Sequence, residues 1–231
     1  FFTTGTMENI YKQLVVVVII IGMTGIQHAH AQCILFSEDF ASSFGSQFTS
    51  TGNTGGSAWG FTNSCSASNL SGHSGPGSVI FQGTTVPCQF GNSTSTVSGN
   101  LNSPIINISS AGTSTLNFNY YLLNECTGTC ANDKLSVGIS TNGGGAYTTI
   151  MDSYLTGGLA PTSGAWVAKS YNLSAYAGQN IMVRFSFNSV NCTANAFDGV
   201  YIDDVTITAT AGPAMPSAIA GSAWVCMNTS A

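Results

Sequence analysis

The sequence predicts an all-β fold, an antiparallel two-sheet sandwich of the jelly-roll type, on three observations. Apolar and polar residues alternate in several runs, most clearly where Ile181, Val183, Phe185 and Phe187 are separated by single polar or flexible residues. Segments rich in Gly, Ser, Thr and Asn separate these runs. Beyond residue 31 no segment has a helical apolar period, and many short strands in about 200 residues indicate a sandwich.

The last predicted strand carries a break in its alternation. Its inward apolar positions fall out of step by one residue, in the order Val200, Ile202, Val205, Ile207. A one-residue slip requires a β-bulge, which this pattern places at Asp203-Asp204. Because bulges re-aim side chains, these two carboxylates are the first candidates for a functional role.

The remaining strands follow in chain order. The apolar runs and alternating segments that predict them are residues 34–40, 79–81, 88–90, 101–108, 115–123, 134–140, 147–151 and 166–173. Residues 42–57 are rich in Gly, Ser and Thr and are predicted as a loop. Trp59, Phe61 and Trp166 are predicted core residues, and Asn142-Gly143 predicts a hairpin turn.

The N-terminal residues predict export. Residues 1–6 precede the first methionine and are excluded from the fold. Residues 7–31 have a short apolar run followed by Ala29-His30-Ala31, the pattern of a secretory signal peptide, so the mature chain is predicted to begin at Gln32. The alternatives are a lipoprotein acylated at Cys33 and a membrane anchor, although the apolar run is shorter than the roughly 20 residues that span a bilayer.

Charge in this chain is sparse. Only 6% of residues are charged, the formal net charge is −5 and 43% of residues are hydrophobic, which argues against disorder. Beyond residue 31 the cations are Lys134, Lys169 and Arg184. Three scattered cations make no basic patch, so nucleic acid is not an expected partner.

The seven cysteines fit an oxidising compartment. They are Cys33, Cys65, Cys88, Cys126, Cys130, Cys192 and Cys226. We expect Cys126–Cys130 as a local staple and Cys65–Cys88 as a second bridge, while the full connectivity stays open. Zinc is the competing interpretation of Cys126-x3-Cys130, but no C-x2-C or His pair accompanies it.

An ordered series of segments carries a family resemblance. The segments are SEDF (37–40), LNSPIINIS (101–109), LNFNYY (116–121), DKLSVGISTNGGGAY (133–147), WVAKSYNLSAYAGQNIMVRFSF (166–187) and DGVYIDDVTI (198–207). Together they resemble a MAM-like jelly-roll domain of the cleaved-adhesin type, found in secreted, Bacteroidetes-like multidomain proteins. The resemblance spans residues 34–208. It implies a two-sheet antiparallel sandwich, a role in adhesion or in glycan or protein binding, a bound calcium near the chain ends, and no catalysis.

Two adjacent acidic pairs are the predicted calcium ligands. Glu38 and Asp39 stand near the start of the domain, and Asp203 and Asp204 stand near its end. First and last strands of a jelly roll are commonly neighbours, so the pairs are expected to converge, and four crowded carboxylates would repel unless a cation lay between them. The alternative is that they point to solvent and cap strand ends.

Three tyrosines and one histidine are the other candidates for binding or catalysis. Tyr147, Tyr154 and Tyr176 lie near predicted loops and are the candidate ligand contacts. His73 in SGHSGPG is expected to be exposed to solvent. No G-x-S-x-G motif accompanies it, so serine hydrolase chemistry is not expected.

The sequence thus predicts a secreted or cell-surface binding module within a larger extracellular protein. Residues 32–210 are the predicted domain, and residues 211–231 are predicted as a linker and the start of a PKD-like or Ig-like domain. The module is expected to be non-catalytic, to hold calcium and to bind an extracellular glycan or protein. The alternative is an accessory or spacer domain of a secreted peptidase or glycosidase.

Overall fold

The computed structural model describes residues 32–44, 47–91, 95–108, 112–124, 133–154, 158–191 and 197–210. The predictions for residues 1–31 and 211–231, and the Cys126–Cys130 bridge, lie outside these residues. The strands within them are β1 Gln32–Glu38, β2 Thr49–Thr54, β3 Ser57–Thr62, β4 Ser78–Gly83, β5 Ser98–Asn102, β6 Ile106–Asn107, β7 Thr113–Leu123, β8 Lys134–Ser140, β9 Thr148–Asp152, β10 Val167–Asn172, β11 Asn180–Asn188 and β12 Gly199–Thr210. Short 3₁₀ helices occur at Ser66–Asn69 and Ser174–Tyr176.

The strands form two six-stranded antiparallel sheets, so the all-β sandwich is confirmed. The first sheet has the order β10-β7-β12-β4-β3, with β1 also paired to β12. The second sheet has the order β2-β5-β11-β8-β9, with β6 also paired to β11. Sequence-distant strands are therefore neighbours in both sheets. Within the described part of the chain, no helix has the length and apolar character that a membrane crossing requires.

The core lies between the inner faces of the two sheets, and it confirms the predicted alternation. The apolar side chains predicted to face inward are all at most 2% exposed, namely Leu116, Phe118, Tyr120, Leu122, Ile181, Val183, Phe185, Phe187, Val200, Ile202, Val205 and Ile207. They belong to one hydrophobic cluster. Aromatic rings meet across it, as where Phe118 and Phe185 pack edge to face with centroids 5.1 Å apart.

Three local predictions differ from the structure. Residues 42–57 contain β2, an edge strand whose side chains are mostly exposed and polar, so it has no apolar alternation to reveal it. Residues 88–90 form no strand, because Cys88 has a φ of 63° and lies in a turn. Phe61 is only half-buried, whereas the prediction for Trp59 is confirmed at 4% exposure.

The outer face of the first sheet is covered by the connection between β3 and β4. We call residues 63–77 the covering segment. Two of its residues, Cys65 and Ala67, form a second hydrophobic cluster with Ile80, Tyr121, Trp166 and Tyr201. The predicted Cys65–Cys88 disulfide is present and joins the covering segment to the turn after β4. Cys33, in β1, is also disulfide-bonded.

Candidate functional site

A β-bulge in β12 is the centre of the candidate site, where the sequence places it. Asp203 pairs with Asn119 and Thr206 pairs with Asn117, so three steps along β12 match two steps along β7. Asp204 has a φ of 52°, the left-handed conformation that a non-glycine residue adopts with strain. The two carboxylates consequently point in different directions and meet different partners.

The bulge also marks the place where β12 changes its neighbour. On the side away from β7, β12 pairs with β4 up to Ile202 and with β1 from Val205 onwards. Glu38, the last residue of β1, pairs with Val205. The first strand therefore ends beside the bulge, which brings the Glu38-Asp39 pair towards Asp203 and Asp204 as predicted.

Asp203 is fully buried beneath the covering segment and is bonded to a histidine. Its Oδ2 lies 2.6 Å from His73 Nδ1, and its Oδ1 accepts a hydrogen bond of 2.8 Å from the Asp204 N–H. The His73 side chain is 1% exposed and stacks on Trp166 with ring centroids 4.2 Å apart. The prediction that His73 is exposed to solvent is therefore wrong, because the covering segment folds this side chain inward onto the sheet.

Asp204 ties the covering segment to the sheet. Its Oδ2 accepts hydrogen bonds from the Ser74 N–H at 2.9 Å and from Asn119 Nδ2 at 2.6 Å. Its Oδ1 accepts a further bond from the Ser74 hydroxyl. The two carboxylates of the bulge thus hold consecutive residues of the covering segment, His73 and Ser74.

The other three predicted carboxylates act electrostatically on Asp203. Burial raises the pKa of Asp203 to about 8, and the negative charges of Asp204, Asp39 and Glu38 act in the same direction. The Asp204 N–H opposes the shift, because it stabilises the ionised form. The raised pKa favours the protonated form of the Asp203 carboxyl at neutral pH.

The carboxylate oxygens differ in how far protein donors occupy them. Glu38 accepts one bond from the Phe40 N–H and Asp39 accepts one from the Ala41 N–H, both at 3.1 Å. Within the described residues their second oxygens have no hydrogen-bond partner, whereas every oxygen of Asp203 and Asp204 takes part in a hydrogen bond. No three His, Cys, Asp or Glu side chains of the described chain are grouped so that they alone could hold a metal ion.

The three tyrosines predicted as ligand contacts do not come together. Tyr147 precedes β9 and Tyr154 follows it, so they flank opposite ends of one strand. Tyr147 is half-buried beneath the Arg184 guanidinium, while Tyr154 is 43% exposed and lies near Lys134. Tyr176 lies in a 3₁₀ helix and packs against the main core.

Sequence reasoning missed the partners of the bulge. His73 and Ser74 are 130 residues from the carboxylates that they contact, and no spacing rule relates the two places. The one available signal was that His73 is the single histidine beyond residue 31 in a chain with few charges. Arg184 was noted only as a scattered cation, since its setting depends on strands that are distant in sequence.

Comparison with known proteins gives a likeness in fold. No family model matches the chain, and no curated protein matches it. Among solved structures it is similar to the K1 cleaved adhesin domain of Lys-gingipain from Porphyromonas gingivalis W83, with 17% identity over 78% of this chain and 99% of that one and a TM-score of 0.50. The match confirms the predicted jelly-roll fold.

Two further structures are similar at lower TM-scores. The K3 cleaved adhesin domain of the same Lys-gingipain has 19% identity, covers 76% of this chain and 98% of its own, and has a TM-score of 0.47. The carbohydrate-binding module TmCBM61, solved with β-1,4-galactotriose, has 18% identity, covers 70% and 88%, and has a TM-score of 0.42.

Proposed function

We propose that this chain is a secreted, non-catalytic adhesion module of a larger extracellular protein, which binds a glycan or protein ligand. The observation that carries the proposal is the fold that it shares over 78% of its length with a domain named as a cleaved adhesin. The Cys65–Cys88 disulfide supports an oxidising compartment, and the signal peptide predicted at residues 7–31 supports export.

The arrangement of His73 supports a structural role for the bulge rather than catalysis. A general base must reach the proton that it removes, whereas His73 is 1% exposed and is engaged by Asp203 and Trp166. Asp203 is fully buried beneath the same segment. Both groups hold the covering segment on the sheet.

Calcium is the proposed ion at this site, held by Glu38 and Asp39 with Asp203 and Asp204 beside them. The donors fit calcium in kind and charge, because they are carboxylate oxygens whose mutual repulsion contributes to the raised pKa of Asp203. Main-chain carbonyls or water would complete the ligand set, as calcium allows. The ion would offset the crowded negative charge and join the end of β1 to the bulge.

Thermal melting of the full chain in calcium and in EDTA tests the ion. Free calcium at about 100 times its Kd adds roughly 2.7 kcal/mol, so we expect EDTA to lower the melting temperature by about 5 to 10 °C. The variant Asp39→Asn should lose most of this shift, and Lys169→Gln, on the first sheet away from the bulge, should retain it. An unchanged melting temperature for wild type would contradict the calcium proposal.

An array of glycans and matrix proteins tests the adhesion proposal. The oxidised chain is applied in calcium and again in EDTA, and binding to a defined set of ligands is expected. A folded sample that binds nothing in either condition would overturn the proposal. It would favour an accessory or spacer domain of a secreted peptidase or glycosidase, for which the uncharged Ser, Thr and Asn residues of the chain are equally suitable.

A further inference from the structure

The outer face of the second sheet presents a fixed cation. Arg184 lies on β11, the middle strand of this sheet, between Asn102 of β5 and Gly138 of β8. Its neighbours along the strand, Val183 and Phe185, are buried in the core, so the Arg184 side chain leaves the sheet on the outer face.

Contacts on two sides hold the guanidinium of Arg184 in place. Its Nε donates a 2.7 Å hydrogen bond to Asn102 Oδ1, and Asn102 Nδ2 in turn donates a 2.8 Å bond to Thr51 Oγ1. The guanidinium carbon lies 3.6 Å from the centroid of the Tyr147 ring, a cation–π contact. A Cβ at Gly138 would come within 3.3 Å of the Tyr147 Cβ, so the glycine leaves room for Tyr147 beside Arg184.

Arg184 lacks the carboxylate that a cation in this position would be expected to have. Lys134, on the neighbouring strand, has Asp152 Oδ2 at 2.9 Å. Within the described part of the chain no Asp or Glu oxygen pairs with Arg184, and its terminal nitrogens have no hydrogen-bond acceptor there. The chain carries a net charge of −5, so this unpaired cation is not explained by a lack of acidic residues.

The groups around Arg184 suit a saccharide. The next outward-facing pair along these strands is Ser186 and Asn100, and the Ser186 hydroxyl donates a 2.7 Å hydrogen bond to Asn100 Oδ1. Asn100 adds a half-buried amide and Thr51 an exposed hydroxyl, groups that exchange hydrogen bonds with sugar hydroxyls, while the buried Asn102 only positions Arg184. Among the described residues, none of the large exposed hydrophobic side chains lies within a strand of this sheet. A peptide interface would require such anchors at its centre.

We propose that Arg184 is the carboxylate-binding residue for an acidic saccharide, one containing uronic acid units, on the outer face of the second sheet. The planar fork of terminal N–H groups matches a carboxylate in two parallel hydrogen bonds, while the Asn100 and Ser186 side chains contact neighbouring hydroxyls. This inference rests on the proposed binding function and names its ligand class.

Calorimetric titration of the full oxidised chain with an oligogalacturonate, and with its neutral methyl ester, tests the inference. The two probes share shape and hydroxyl groups and differ in charge. We expect the acid to bind about tenfold or more tightly than the ester, because a charge-assisted bidentate contact is lost with the ester. Equal affinities would overturn the inference.

Three variants assign the effect to Arg184. Arg184→Gln should remove the preference for the acid, and Lys169→Gln, which makes the same charge change on β10 of the first sheet, should keep it. Asn102→Asp places a carboxylate at the Arg184 Nε, so this variant should stay folded and lose the preference by pairing the cation internally. A preference that survives in folded Arg184→Gln and Asn102→Asp would overturn the inference.

The outcomes separate this inference from the proposed function. Binding of neutral and acidic saccharides with equal affinity would overturn the role of Arg184 and leave the adhesion proposal standing. Binding of polyglutamate but of no saccharide would also overturn the inference, since the ligand would then be an acidic protein. Binding to none of these probes, and to nothing on the array, would overturn both.

Discussion

The outer faces of the two sheets have opposite characters. On the first sheet the covering segment and the Cys65–Cys88 disulfide bury Tyr121, Trp166 and Tyr201, and the buried Asp203–His73 pair lies at the edge of this layer. On the second sheet the corresponding face carries Arg184 amid polar neighbours and has no such cover among the described residues. The comparison indicates that the covered outer face stabilises the domain, and the other is the face on which we propose that a ligand binds.

Removal of Trp166 should break this contrast most strongly. Trp166 is 8% exposed, donates a 2.9 Å hydrogen bond to the Ala67 carbonyl and stacks on His73. Trp166→Ala should lower the free energy of unfolding by about 3 to 5 kcal/mol. Tyr147→Ala on the opposite outer face is the matched control and should cost less than about 1.5 kcal/mol, because Tyr147 is half-buried. Denaturation by urea measures both, and equal costs would contradict the comparison.

The disulfide should have the next largest effect. Cys65 and Cys88 are 23 residues apart in sequence, and the bond constrains this loop in the unfolded chain. The double variant Cys65→Ala/Cys88→Ala should lose about 2 to 4 kcal/mol of stability. Saccharide affinity at 25 °C should be unchanged while the domain stays folded, because the proposed ligand face is on the other sheet. A large loss of affinity in a folded sample would show that the two outer faces are coupled.

The buried Asp203 should make stability fall as the pH rises. A carboxyl whose pKa is raised in the folded state stabilises the fold when protonated, and this contribution is lost as the pH passes through the folded pKa of about 8. Between pH 6 and pH 9, in EDTA, we expect the free energy of unfolding to fall by about 2 kcal/mol. Asp203→Asn, which is neutral at every pH, should remove this dependence, and a wild-type curve as flat as the variant's would contradict the expectation.

The smallest expected effect is the difference in stability loss between two serine-to-alanine variants, one on each outer face. Ser78 is fully buried and its hydroxyl is 2.8 Å from that of Ser68 in the covering segment, so Ser78→Ala should cost about 1 to 3 kcal/mol by leaving Ser68 without this partner. Ser186 is half-buried on the outer face of the second sheet, and Ser186→Ala should change stability by about 0.5 kcal/mol or less. Thermal melting of the two variants side by side measures the difference.

The sequence predicted those features that depend on local periodicity. The alternation of β7, β11 and β12 identified the inner faces, and the one-residue slip identified the bulge, because a strand with one buried face must keep its register. β2 was missed for the converse reason, since a polar edge strand has no apolar period to detect.

The candidate site was predicted only in part. The convergence of Glu38 and Asp39 with the bulge follows from β1 pairing with β12, a regularity of the fold that the sequence allowed us to expect. The burial of His73 depends on how the covering segment packs against Trp166. This is a tertiary contact between residues almost a hundred positions apart, so no local pattern predicts it. The setting of Arg184 similarly requires β5, β8 and β11 to be placed side by side.

The pairing of β1 with β12 also brings the two ends of the domain together. Gln32 is the register partner of Thr210, so the two ends of the described domain lie on adjacent strands of one sheet. A short flexible linker could join them, and new ends could be opened in the exposed turn at Asn142-Gly143 without breaking a strand. Such a circular permutant should fold. Because its two ends are neighbours, a domain of this kind can also be inserted into a surface loop of another protein without separating the two sides of that loop.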